Sequence, residues 1–368
     1  MSRAGIPYGA ASLHLVDGVQ FLRQDEAVFE AMLDGWSAQM IGGRGLRRET
    51  VASSTSMVRR FQTHVNEWPW RWSAAMFDEW MTDLATVHAL KHSTRRGYQL
   101  AIRAFCTYVC SPHYGWVAEC EERFGEHPTQ VSHEDNMVQH LSDFEGSPAR
   151  RPLTRDELQR LLDRADNEVD VRIQQGRKGA AMAYRDATMF KVQYAWGLRS
   201  NELCHLDTTD LFRSPHAKQF EGIGLVQVRM GKASRGGPPK RRTVATIYQW
   251  AVDALQDYLV NARPLMLKES SPSNAIFVTE RGTRMKTRDV ANRFAYYRDE
   301  LGLDAALTPH ALRHSYVTHL IENGVDPTFV KEQVGHAYQS TTAIYTGVST
   351  DFKNKMMQDA IRRVLPGP

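Results

Sequence analysis

The sequence predicts a mainly α-helical chain of two domains, the second carrying one small antiparallel β-sheet. Three observations carry this. Apolar residues recur at helical spacing through residues 25–111; the periodicity then lapses over a Pro- and Gly-dotted stretch, 112–152; and beyond it a strand–turn–strand pattern at 223–247 sits among further helical segments. At 368 residues the chain is long enough for two domains that each bury a core. A hydrophobic content of 42% with 24% charged residues fits an ordinary globular protein.

Residues 1–24 are read as an N-terminal extension with two basic residues, Arg3 and Arg23. The first domain, 25–111, is read as four short helices. Their apolar stripes are Ala27-Val28-Phe29-Ala31-Met32, then Val58, Phe61 and Val65, then Phe77, Trp80, Met81 and Leu84, then Tyr98, Ile102, Phe105 and Tyr108. Gly42-Gly43-Arg44-Gly45 separates the first helix from the second, and Pro69 to Trp72 the second from the third. Residues 112–152, with Pro112, Gly115, Gly125, Pro128, Gly146 and Pro148, are read as a linker. A connection this long is expected to cover part of one domain, with Trp116 and Phe124 packed.

The second domain, 153–368, opens on a capping box. Thr154 is the N-cap and Glu157 stands three residues on, ahead of Leu158, Leu161 and Leu162 on one face. A helix from Tyr184 to Trp196 stops at Gly197. Ile223 to Arg229 reads as a strand, Gly231 to Lys240 as its turn, and Arg242 to Ile247 as the returning strand. Helices follow at Trp250 to Ala262 and Thr287 to Leu301. Another starts with Pro309 and stops near Gly324, and the next runs from Asp326-Pro327 to Gly335. A last helix spans Asp351 to Val364.

The net charge of +4, with a pI near 8.8, argues only weakly for nucleic acid. Its distribution argues more. No acid falls between Glu221 and Asp253, whereas Arg229, Lys232, Arg235, Lys240, Arg241 and Arg242 do. Such a run is either a phosphate-contacting patch or a solvated basic loop. Cys106, Cys110, His113 and Cys120 cluster but lack the paired C-x-x-C knuckle of structural zinc sites, so buried thiols are the better reading and no metal is expected. The first eleven residues have no apolar signal core, and no run of eighteen apolar residues occurs; a cytoplasmic protein without membrane contact is expected.

The most informative stretch is Thr308-Pro309-His310-Ala311-Leu312-Arg313-His314-Ser315-Tyr316, followed by Gly335-His336 and Tyr345. Upstream, Gly197-Leu198-Arg199-Ser200-Asn201-Glu202-Leu203 adds an arginine and Gly231-Lys232 a lysine. Cleaving a phosphodiester without metal requires a nucleophile, cations for the charge on the transition state and a proton for the departing oxygen. Arginine suits the second task, because its planar fork binds two phosphate oxygens and stays charged. His310 and Arg313 lie three apart on one helix face. His310 and His314 are four apart, but Ala311 stands where a zinc hydrolase has glutamate, so His314 is read as packing within the domain.

In order, Arg199, Lys232, His310, Arg313, His336 and Tyr345 resemble the active site of the tyrosine recombinases, the phage integrases and chromosome-dimer resolvases. The resemblance covers about residues 153–360, and the four N-terminal helices are similar to that family's core-binding domain. It implies a two-domain C-shaped clamp on double-stranded DNA and a 3′-phosphotyrosyl link through Tyr345, nine residues after His336. Tyr338 is too close to His336 for that role. Lys232, in the strand-to-strand turn, would protonate the leaving 5′ oxygen, with Lys240 as the alternative because the turn is longer than usual. His310 would be the acid/base partner of the nucleophile or a donor to the phosphate, His336 a phosphate donor, and Glu202 the fixer of the Arg199 guanidinium. Arg47, Arg48, Arg59, Arg60, Arg95, Arg96, Arg235, Lys240, Arg241 and Arg242 are candidate DNA contacts. The resemblance further implies no cofactor, DNA sites with inverted repeats and a tetramer on DNA. The last helix docks either on a neighbouring protomer or on its own domain. A type IB topoisomerase-like enzyme and a DNA-binding regulator without cleavage are the alternatives.

Overall fold

The computed structural model describes residues 7, 9–15, 23–138, 151–176, 179–220, 222–231, 237–268 and 273–335. Among the described residues helices dominate, with one three-stranded antiparallel sheet, in keeping with the fold class the sequence predicts. The described residues divide into two compact units: those before residue 139, with Gly237 and Pro238, form the first, and the others, from residue 151 on, the second.

The first unit begins with the single turn α1 (Ala11–His14). It continues through α2 (Gln24–Ala38), α3 (Arg48–Val65), α4 (Ala74–Thr86), α5 (His92–Val109) and α6 (Trp116–Phe124). The core is aromatic. Phe61 packs between Trp72 and Trp80 at ring separations of 4.7 and 4.9 Å. Ser73 caps α4 by accepting the Met76 amide, and the Pro69–Arg71 turn breaks the chain ahead of it.

Helix α6 lies inside the stretch read as linker. It is bracketed by Gly115 and Gly125, both left-handed, so two glycines that look like loop signals are its caps. Trp116 is fully buried and Phe124 stacks on Trp70 at 4.1 Å. Beyond it the chain lies along α5: the buried Gln99 side chain accepts the Val138 amide and donates to the Asn136 carbonyl. Cys106 and Cys120 are free, buried thiols, which burial pushes up to about 12.

The second unit holds α7 (Arg155–Gln174), α8 (Ala180–Ala195), α9 (Ser200–Cys204), α10 (Gln249–Asp257), α11 (Thr287–Glu300), α12 (His310–Glu322) and α13 (Pro327–Val334). The sheet is β1 (Leu211–Phe212), β2 (Leu225–Val228) and β3 (Arg242–Ala245), with Val226 opposite Val244 and Val228 opposite Arg242. The capping box at Thr154 and Glu157 forms as read. Helices α8 and α12 are buried almost all round, so the polar side chains they carry need partners within the unit. Burial of a side chain such as Phe190 or Leu312 contributes roughly 1.5–3 kcal/mol. That exceeds the differences of under about 0.7 kcal/mol in helix propensity, so packing holds these helices.

Two buried polar side chains of α12, Ser315 and His319, are matched. Ser315 accepts the Leu153 amide at 2.8 Å and donates to the Ala311 carbonyl. His319 bridges Tyr194 Oη, 3.1 Å from Nδ1, and the Leu153 carbonyl, 3.2 Å from Nε2. Both contacts are satisfied by the neutral ring carrying its proton on Nε2. Burial, and then the nearby Arg155, lower the pKa of His319 below its ordinary value. The unfolded chain therefore binds this proton more readily, so the stabilisation is complete above a pH of about 6.5 and is lost as pH falls below it. Thermal melts taken from neutral to mildly acidic pH should show a fall in Tm that His319→Gln flattens. Parallel profiles for the two proteins would refute this.

Candidate active site

One buried amide aligns the elements that carry the site. Gln193 of α8 donates to Ser200 Oγ and to the Pro309 carbonyl, both at 3.2 Å, tying α8 to the starts of α9 and α12. Between α8 and α9 the chain turns at Gly197 with a φ of 57°, where a Cβ would stand 2.5 Å from the Tyr316 ring. Only glycine fits there. The turn delivers Arg199 to the N-cap of α9, with Glu202 three residues on.

Glu202 is the hub. Its carboxylate accepts the Arg199 amide at 2.9 Å and Arg199 Nη1 at 2.8 Å, which fixes that guanidinium as the sequence suggests. It also takes a two-pronged contact from Arg242, Nη1 at 2.7 Å and Nη2 at 2.8 Å, and lies 3.7 Å from Arg313 Nη1. Burial works against the Glu202 charge, but Arg242 and then Arg313 outweigh it and hold the carboxyl down at about 2.

Arg313 is among the largest fully buried side chains of the unit. Its Nη1 donates to the Gly197 carbonyl at 2.7 Å and its Nη2 to the Val334 carbonyl at 2.5 Å. Burial first, and then the neighbouring Arg199, push its pKa down to about 9, against the pull of Glu202. It stays charged at neutral pH. A guanidinium has five N–H donors, so two carbonyl bonds leave donors for an oxyanion. Three guanidiniums against one carboxylate make this a place where an added anion is favoured.

His310 is half-buried at the first position of α12, one turn before Arg313, and its ring meets that of His314 edge to face at 4.7 Å. Lys232, Arg235, His336, Tyr345 and the Asp351 to Val364 helix lie outside the described residues. Lys240 and Arg241 are exposed at the entry to β3. Two members of the basic run are turned inward instead: Arg229 pairs with Asp207 at 2.5 Å and Asp210 at 2.6 Å, and Arg242 with Glu202. In the first unit Arg47 and Arg48 are exposed at the start of α3, and Arg95 and Arg96 are half-buried in the first turns of α5. Arg59 forks onto Glu30, with Nη2 at 2.6 Å, and Arg60 donates to Tyr98 Oη at 2.5 Å. The part of Arg242 in the cluster escapes sequence reading, since its partner is forty residues away. Among the described residues no group of three His, Cys, Asp or Glu is placed to hold a metal, and no helix is long and apolar enough to cross a membrane.

A model of the phage integrase family matches residues 151–351, more than half of the chain, and the chain belongs to that family. It is 32% identical over 173 residues to the tyrosine recombinase XerD of Staphylococcus epidermidis, covering 47% of this chain and 53% of the relative. To XerC of Natranaerobius thermophilus it is 33% identical over 168 residues, 45% of this chain and 51% of the relative. The chain thus spans about half the length of these curated relatives. The solved Tn1549 transposon integrase, in complex with transposon right end DNA, shares the fold: TM-score 0.60 at 20% identity, over 88% of this chain and 97% of that one.

Proposed function

We propose that this chain cleaves and rejoins duplex DNA at specific sites, with Tyr345 as nucleophile and a 3′-phosphotyrosyl link between the two steps. The Glu202-centred cluster carries the reading: Arg199 and Arg313 stand where a phosphate would find two fixed guanidiniums, on the elements that also bear His310. Their task is charge stabilisation of the phosphorane-like transition state, for which donors already held in place need no reorganisation. His310 serves as acid/base partner of the nucleophile, His336 as a phosphate donor and Lys232 as the acid for the 5′ oxygen. Attack by the Tyr345 oxygen forms one phosphoester as the bond to the 5′ oxygen breaks, and the proton from Lys232 leaves with that oxygen. The linkage energy stays in the phosphotyrosine, so no nucleotide is required.

The first unit, as the core-binding domain, would grip the DNA backbone. Arg47 and Arg48 at the start of α3, with Arg95 and Arg96 on α5, combine side-chain charge with the positive ends of two packed helices, a pairing that favours phosphate. Lys240 and Arg241, in the second unit, and Arg235 would extend the contact. The partner is DNA with inverted-repeat core sites, on which four copies assemble in the cytoplasm and exchange strands in pairs.

A nicked duplex built from inverted repeats flanking the gene tests this. A covalent protein–DNA adduct is expected, and it should survive excess EDTA because side chains supply the positive charge. An adduct lost to chelator and restored by one divalent metal would overturn the mechanism. Plasmid relaxation without strand exchange would indicate the topoisomerase-like enzyme, and tight binding without any adduct a regulator.

A further inference from the structure

Arg242 opens β3 at the end of the basic run, and its sequence context marks it as a backbone contact. Its geometry is different. Nη1 and Nη2 lie parallel to the two Glu202 oxygens at 2.7 and 2.8 Å, and Nε donates to the Gln333 carbonyl at 2.8 Å. The same Gln333 accepts the Ala245 amide through its side chain at 2.8 Å, so β3 is stitched to α13 twice. Arg313 holds the next carbonyl, that of Val334. The last two carbonyls of α13 are therefore capped by two cations just before Gly335-His336.

We infer that Arg242 is a positioning residue of the cleavage site, joining Glu202 to the C-terminal end of α13 so that Arg199, Arg313 and the chain leading to His336 hold one arrangement. The inference rests on reading the cluster as the phosphate site. Only arginine can act this way, because the task needs a planar fork for a carboxylate and a third donor on another edge, where lysine offers a point charge. The fork also keeps Glu202 occupied. Arg313 Nη1 stays 3.7 Å from that carboxylate, beyond hydrogen-bond reach. Without Arg242, the buried carboxylate would draw Arg313 toward itself and away from a phosphate. Arg242 thus acts through its neighbours, not on the DNA.

The test uses the full chain as Arg242→Lys, Arg242→Gln, Glu202→Gln and the double Arg242→Gln/Glu202→Gln. Lys191→Gln, which removes an ion pair with Asp166, is the control. Hydrogen exchange on the DNA-free protein should quicken over residues 327–335 and at Ala245 in both Arg242 variants, and not in the control. On the nicked duplex, affinity should stay within about threefold of wild type while the single-turnover adduct rate at saturating protein falls on the order of 100-fold, the effect of a misplaced reacting geometry. The double variant should be no slower than Arg242→Gln, since the unbalanced carboxylate is gone. Unchanged exchange over 327–335 would overturn the inference. So would full speed in Arg242→Lys, or a loss confined to affinity with a salt slope lower by about one, the mark of a phosphate contact. If the wild type itself formed no adduct, the cleavage reading would fail, and the exchange result alone would still decide whether Arg242 holds α13.

Discussion

Tyr345→Phe is expected to bind the nicked duplex as tightly as the wild type and to form no covalent adduct with it. The change removes one oxygen and leaves the ring, so charge and bulk at the site are kept and the phosphate loses only its attacker. A phenol with an unperturbed pKa of about 10 is a poor nucleophile at neutral pH and needs both a base and cations around the phosphate. In the proposed mechanism Arg199 and Arg313 supply the cations, and the described residues end at Gly335, directly after the α13 turn that Arg242 and Arg313 hold by its last two carbonyls. Ten residues then lead to Tyr345. Tyr338, two residues beyond His336, gives the control: Tyr338→Phe should form adducts at the wild-type rate. Adducts that persist in Tyr345→Phe would sink the assignment.

What the sequence made legible follows the range of the interactions involved. Local patterns read well. The Thr154–Glu157 cap, the stop at Gly197 and the Asp326-Pro327 start are each decided by residues within a turn of one another, and all three stand in the structure. Arg199 with Glu202 was legible for the same reason, being one helical turn apart. Helix α6 was not, because both its caps are glycines that punctuate loops equally well. Strand β1 is two residues long, too short to alternate. The arginines were least legible of all. Arg242 looks like the surface residue Arg241 beside it, yet its acid lies in α9, and Arg59 meets Glu30 from a different helix. Charge runs tell where cations are along the chain; which of them face DNA depends on pairings across the fold.

Lys232→Ala is expected to slow cleavage of an ordinary phosphodiester by about 10²–10⁴-fold, the usual worth of a positioned general acid. Replacing the 5′-bridging oxygen with sulfur should restore most of that rate, since a thiolate leaves without a proton. Arg199→Ala and Arg313→Ala should not be rescued, because their service is to the non-bridging oxygens, whose charge develops whichever atom leaves. The competitor is Lys240. In the structure it is exposed, and its carbonyl accepts the Gly231 amide at 3.0 Å, so its backbone closes the base of the turn that Lys232 begins. A residue held at the base of a hairpin suits backbone contact with DNA, which leaves Lys232 as the proposed proton donor. Lys240→Ala should therefore weaken binding and lower the salt slope by about one while leaving the saturated rate intact. If the sulfur substrate instead rescues Lys240→Ala, and Lys232→Ala behaves like wild type, the general acid is Lys240 and the turn reaches the phosphate from its other end. The division of labour between a proton donor and two charge-stabilising arginines would stand under either lysine; rescue of Arg313→Ala by sulfur would break it.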